Sequence, residues 1–171
     1  MIKALLIAVL IFSQNGRQQE DPKPPERGIV AGVVSGPGQT RITQPLQIIL
    51  MGPEYAELYS SDVQKRLDVY WERYKPAFAE KKEFFNEVSR MAYRESLQYV
   101  VNRMRRELRE QFSEFLKDTT PTGGFEFRNL AFGSYQVVAI GTIGETEYVW
   151  QEFVEVNSPI PQFIQLDKQI P

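Results

Sequence analysis

The feature that most limits how this chain can fold is an interruption. Two stretches of short, strand-like segments, residues 28–53 and 119–171, are separated by a long, charged, helix-patterned segment, residues 54–118. In the first stretch, residues 28–35 (GIVAGVVS) are rich in β-branched side chains and end at Gly36-Pro37-Gly38, the composition and punctuation of a strand. Residues 44–51 (QPLQIILM) are a second candidate. Leu46, Ile48 and Leu50 alternate toward one face, Ile49 and Met51 toward the other, and Gly52-Pro53 ends the run.

The last stretch resumes this style. Phe125 and Phe127 point one way, Glu126 and Arg128 the other. Residues 129–134 read as a tight connection, and residues 135–140 as a strand with Tyr135, Val137 and Ala139 on one face. Residues 141–144 turn the chain. Residues 148–156 (YVWQEFVEV) predict a longer strand, bulged near Gln151-Glu152 where the alternation slips. Residues 163–166 close the set. Short strands with turn signals between them predict an antiparallel β-sandwich.

The middle segment has a different period. Ser60 or Ser61 caps a helix beginning at Asp62, and Val63, Leu67, Tyr70, Trp71 and Tyr74 follow at helical spacing. The pattern resumes after Glu80 with Phe84, Val88, Met91, Leu97, Val101, Met104, Leu108, Phe112 and Phe115. One straight helix of about 60 residues would hold the flanking strands about 90 Å apart. They belong to one sandwich, so the segment must double back. Pro76 to Lys82 is the predicted turn, giving a short helix and a much longer one. The apolar stripe reads first as an intramolecular seam. Its alternative is a coiled-coil dimer through residues 97–115, a run of under three heptads.

Within the last stretch, Thr122-Gly123-Gly124-Phe125-x-Phe127-x-Asn129-Leu130-x-x-Gly133-x-Tyr135-x-Val137-x-Ala139 resembles the carboxypeptidase regulatory-like family, as does the Gly28-x-Val30-x-Gly32-x-Val34 run. The likeness covers about half the chain, and residues 123–139 are its specific part. It implies a transthyretin-like (prealbumin-like) sandwich of about seven strands, related to carbohydrate-binding folds, with a structural or interaction role. The long helical hairpin stands where that family has a short connection. Two departures concern turn geometry: Pro121 or Thr122 replaces an acidic residue, and Phe132 stands where proline is frequent. The expected fold is thus mainly β, a seven-stranded-type sandwich over residues 28–53 and 119–171 with a helical insertion over 54–118.

Ahead of the sandwich, Lys3 and the apolar run from Ala4 to Phe12 read as a signal peptide or short hydrophobic leader over residues 1–19. The run is about half of what a membrane-spanning helix needs. Residues 20–27, with Pro22, Pro24 and Pro25, read as a linker. These features place the protein in the secreted, periplasmic or cell-surface compartment. Membrane contact is expected only through an uncleaved leader.

Two absences bound the chemistry. The chain has no cysteine and no histidine, which removes disulfides, thiol and triad catalysis, and imidazole or thiolate metal sites. No enzyme activity, catalytic residue, cofactor or metal is expected. Glu145, Glu147, Glu152 and Glu155 cluster in sequence and read as a solvated strand edge. A net charge of −2 argues against nucleic acid as a partner. The insertion carries 13 basic and 13 acidic side chains, so the Arg103, Arg105, Arg106 and Arg109 cluster reads as a salt-bridged face; its functional reading is a partner contact. The expected role is a non-catalytic module that binds a protein partner through the insertion. The alternative is glycan binding on exposed aromatics, for which Trp71, Tyr148 and Trp150 are the candidates.

Overall fold

The computed structural model describes residues 26–40 and 42–170. The leader and most of the linker lie outside the described residues. In chain order the elements are β1 (Gly28–Val34), β2 (Gln47–Met51), α1 (Pro53–Glu80), α2 (Lys82–Leu108), a four-residue α3 (Phe112–Phe115), β3 (Leu116–Asp118), β4 (Gly124–Leu130), β5 (Gly133–Ile143), β6 (Thr146–Val156) and β7 (Gln162–Leu166). Single-turn 3-10 segments lie at Pro37–Gln39 and Arg109–Gln111. No helix of the described residues is long and apolar enough to cross a membrane.

The seven strands form two sheets, ordered β4-β1-β7 and β3-β2-β5-β6. The four-stranded sheet is antiparallel throughout. The three-stranded one is mixed: β1 runs antiparallel to β4 and parallel to β7. This corrects the all-antiparallel expectation. No period in the sequence carries strand direction, because a strand buries the same face whichever way its neighbour runs.

Alternation along the strands sends side chains to two separate cores. Ile48 and Leu50 of β2, Val137 and Ala139 of β5, and Trp150, Val154 and Val156 of β6 meet Val30, Val34, Phe125, Phe127, Leu130 and Leu166 from the other sheet. The intervening residues Ile49, Met51, Val138 and Val149 face away and meet Ala56, Tyr59 and Val63 of α1 and Leu97, Val100 and Met104 of α2. The fold therefore has three layers: a small sheet, a larger sheet and a helix pair. The middle layer is apolar on both faces.

Two-sided burial also explains the slipped alternation in residues 148–156. No bulge exists there. β5 and β6 pair in unbroken register from Gly133↔Val156 to Ile143↔Thr146, turning at Gly144, whose φ is +64°. Val149 and Trp150 are adjacent and both buried because each has its own core. The irregularity among these strands lies instead in β1, between Gly28 and Val30.

The insertion doubles back as chain geometry requires, with different details. The ends of the segment are hydrogen-bonded neighbours: β2 pairs β3 through Gln47↔Asp118, Ile48↔Lys117 and Ile49↔Leu116. The arms are nearly equal, 28 and 27 residues, instead of short and long. α1 starts at Pro53, a proline at the first helical position, where its missing N–H costs nothing. Ser60 and Ser61 lie inside the helix, and the Ser60 hydroxyl donates to the Ala56 carbonyl at 2.9 Å. Pro76 also lies inside α1; the break falls at Lys81, the one extended residue between the helices (φ −137°, ψ 102°). A proline removes one helical hydrogen bond but need not end a helix whose apolar face is already packed. α2 stops at Leu108, where Arg109 takes φ +52°, short of the expected end near Phe115.

The specific motif forms β4, the start of β5 and the corner between them, which carries the chain from the small sheet to the larger one. Gly123 adopts φ +83°, and a Cβ there would lie 2.5 Å from the Val34 carbonyl oxygen, so only glycine fits. Asn129 takes φ +60°, a conformation asparagine tolerates better than most residues. The Tyr135 hydroxyl donates to the Ala131 carbonyl at 3.0 Å, the local closure of a tyrosine corner.

Two tyrosines in different layers, Tyr59 buried and Tyr135 half-buried, give a test. The Tyr59 hydroxyl is buried with no hydrogen-bond partner among the described residues, whereas that of Tyr135 is paired. Tyr135→Phe is expected to cost about 1 kcal/mol, and Tyr59→Phe to be neutral or stabilising. Urea denaturation of both variants against wild type measures the difference.

Candidate functional site

The helix pair divides into a base and a tip. The base, from Ala56 to Val63 and from Leu97 to Met104, is glued to the four-stranded sheet. Beyond Leu67 the helices supply no side chain to either of the two large cores until Tyr93. Arg94 marks the limit of contact with the sheet, pairing with Glu147 of β6 at 3.2 Å. From Leu67 to Glu80 the helix advances about 20 Å, so the tip stands clear of the sheets.

Aromatic side chains hold the tip together. Tyr74 meets Phe84 edge-on at 5.7 Å, and Phe78 lies 5.9 Å from Phe84. A second group faces outward. Trp71 and Phe78, two turns apart on one face of α1, stack at 5.3 Å, and Phe85 of α2 meets Trp71 at 6.0 Å and Phe78 at 5.5 Å. Much of this group is uncovered: Trp71 is 45% exposed and Phe85 40%, while Val69, 52% exposed, lies about 200° from Trp71 around α1 on another face. Between the helices the group opens a cavity of about 160 Å³ lined by Leu67, Asp68, Trp71, Phe78, Phe85, Val88 and Ser89. Trp71, Phe78 and Phe85 also border a shallower hollow with Glu83 and Asn86.

Below the tip the hairpin is fastened by polar contacts. Glu95 accepts hydrogen bonds from Arg66 at 2.7 Å and from the Tyr70 hydroxyl at 2.5 Å. The Glu95 carboxylate as acceptor and then burial raise the Tyr70 hydroxyl above the usual tyrosine range.

The residues singled out from sequence are scattered. Trp71 lies at the tip. Trp150 is fully buried between the sheets, and its indole N–H donates to the Ser35 carbonyl at 3.1 Å. It has no face to offer a ligand, which corrects its candidacy as a sugar platform. Tyr148 is half-buried against Trp150 at 5.8 Å. Arg103, Arg105, Arg106 and Arg109 lie at the base, at the far end of α2. Arg103 donates to Glu107 at 2.7 Å and Glu54 at 3.2 Å, and Arg105 covers the Phe112 ring at 5.3 Å. Hydrogen bonds from Arg103 and then Tyr55 hold the Glu107 carboxyl below the usual range. Arg105 and Arg106 oppose the helix dipole in the last turn. Glu147 pairs with Arg94, and Glu155 accepts from the Ser134 hydroxyl.

Phe78, Phe85 and Val69 were missed by reading one apolar stripe per helix. A signal existed. Phe84 and Phe85 are consecutive, so they point about 100° apart on a helix, and one seam cannot bury both.

A larger cavity, about 520 Å³, lies at the other end of the hairpin between Gln111, Glu114 and Phe115 and the tyrosine corner. Arg27, Asn129, Leu130, Ala131 and Tyr135 complete it. Its polar lining residues Arg27, Gln111, Glu114 and Asn129 are exposed, and Phe115, Leu130 and Tyr135 beside them are at least half-buried.

No protein-family model matches the chain, and no curated protein matches it. Among solved structures, a candidate carbohydrate-binding protein of Pseudomonas aeruginosa aligns at 12% identity and a TM-score of 0.40, over 85% of this chain and 91% of its own. The pilus backbone protein of Streptococcus pneumoniae aligns at 11% identity and a TM-score of 0.33, over 83% of this chain and 41% of its own. Likeness this distant carries no argument about function. The resemblance of residues 123–139 to the carboxypeptidase regulatory-like family stands on the motif alone.

The two tryptophans differ in exposure enough to be separated spectroscopically. Acrylamide quenching is expected to divide wild-type emission into an accessible Trp71 fraction and a shielded Trp150 fraction. Trp71→Phe should leave only the shielded fraction and shift emission to the blue, at a stability cost below about 1 kcal/mol.

Proposed function

We propose that this chain is a non-catalytic interaction module of an exported or envelope protein. In this reading a transthyretin-like sandwich carries a helical hairpin whose tip engages a protein partner. The observation that carries it is the Trp71–Phe78–Phe85 group, in which Trp71 and Phe85 are exposed, displayed on a helical arm away from both cores. Exposing large aromatics to water is costly, and clustered aromatics are the side chains that dominate protein–protein binding energy. Domain limits follow the same division: residues 28–53 with 119–171 form the body and 54–118 the insertion, which lends β3 back to the larger sheet. Export rests on Lys3 and the apolar run that follows it. The non-catalytic assignment rests on a composition without histidine or cysteine.

Glycan binding is the weaker reading. A sugar ring stacks on a broad flat aromatic face, but Trp71 and Phe85 meet at 83°, so the pair presents an edge against a face. Trp150, the other tryptophan, is buried.

Removing the whole insertion would strip the cover from Ile49, Met51, Val138 and Val149, so the informative variant trims only the tip. A protein with residues 68–91 replaced by a short Gly-Ser turn keeps the base. Immobilised full-length protein is expected to retain a specific partner from the source cell's envelope or exterior fraction, and the trimmed protein to lose it. Retention of the same partner by both would overturn the assignment to the hairpin.

A further inference from the structure

The tip groove has a chemical character that narrows what it can hold. Five of its seven lining side chains are apolar: Leu67, Trp71, Phe78, Phe85 and Val88. Its volume, about 160 Å³, is close to that of a Leu/Ile/Phe-lined cavity of about 150 Å³ able to take a benzene molecule. It is thus sized for one phenyl ring or one leucyl side chain. Its charged edge has one sign. Asp68 lines the groove and Glu83 lines the adjoining hollow, and among the described residues no lysine or arginine lines either. Asp68 accepts a hydrogen bond from the Gln64 amide at 2.8 Å, and neither carboxylate makes an ion pair among the described residues. Elsewhere on the hairpin, Glu54, Asp62, Glu95 and Glu107 all have arginine partners. Arg73, Lys75 and Lys81 are exposed near the tip but border neither cavity.

We propose that this groove seats a single large apolar side chain, phenylalanine or leucine, of a partner segment that carries lysine or arginine beside it. The inference rests on the interaction reading above and names the chemistry of the ligand. The ring enters the groove beside Trp71, Phe78 and Phe85 and covers the exposed faces of Trp71 and Phe85. The flanking cation meets Asp68 on one side or Glu83 on the other, where partial removal of water strengthens the attraction. The same carboxylates repel an acidic segment or an anionic lipid surface, so they act as the selective element.

Short helical peptides on an alanine–glutamine host test this with the full chain. One carries a central phenylalanine flanked by lysines one turn away. A second replaces the lysines with glutamates, and a third replaces the phenylalanine with alanine. Fluorescence polarisation is expected to show the phenylalanine–lysine peptide binding at least about tenfold tighter than either control. Trp71 emission should shift to the blue on binding, and the shift should vanish in Trp71→Phe. The double variant Asp68→Lys, Glu83→Lys should reverse the preference between lysine and glutamate peptides. Asp68→Asn with Glu83→Gln, which keeps the shape, should abolish the preference. Equal binding of all three peptides, no binding, or a preference unmoved by these variants would overturn the inference. So would a blue shift produced by vesicles of phosphatidylcholine and phosphatidylserine in place of the peptides. If trimming residues 68–91 removes the natural partner while the charge variants retain it, the hairpin assignment stands and this inference fails.

Discussion

The fold depends on the two-sided burial of its four-stranded sheet. Ile48, Leu50, Val137, Ala139 and Trp150 face one core, and their neighbours Ile49, Met51, Val138 and Val149 face another. Each fully buried aliphatic side chain stabilises by about 1.5–3 kcal/mol. Neither face can be left to water without losing several such contributions. The small sheet covers one face and the helix pair the other. Ile170, near the C-terminus, also packs in the helix-side core, and its N–H donates to the Val149 carbonyl at 2.9 Å.

This makes the helix pair part of the fold at its base and free of it at its tip. The base is bound by core contacts and by the strand pairing of β2 with β3, which closes the loop at its origin. The tip relies on aromatic contacts and one extended residue, Lys81. Segments with few buried contacts open at lower free energy than the core they hang from. A binding surface placed there can adjust to a partner while the sandwich stays rigid.

Much of the site was legible in part. Trp71 was a visible candidate because a tryptophan in a charged helical segment must either find a core or stand exposed. Trp150 looked equivalent in sequence and proved its opposite, because its strand lies between the small sheet and the helices. The arginines at 103–109 looked like a patch, yet Arg103 finds a partner in Glu54, 49 residues away in sequence, which only the antiparallel hairpin brings near. The groove needed both arms: Asp68 and Trp71 from one helix, Phe85 and Ser89 from the other, meeting across a turn whose position no periodicity specified.

By itself the sequence determined six of the seven strands, missing β3 inside the insertion, along with the interruption and its need to double back. Period-two and helical patterns are local, and chain length limits how far apart two paired strands can be. It also determined the corner at Asn129 and Tyr135, which act through their own backbone neighbourhood, whereas Gly123 is required by the distant Val34 carbonyl. Only the tertiary structure decided the parallel pairing of β7, the third layer and the exposure of Trp71 and Phe85. Those depend on which faces meet, and a face carries no mark of its partner until the layers are stacked.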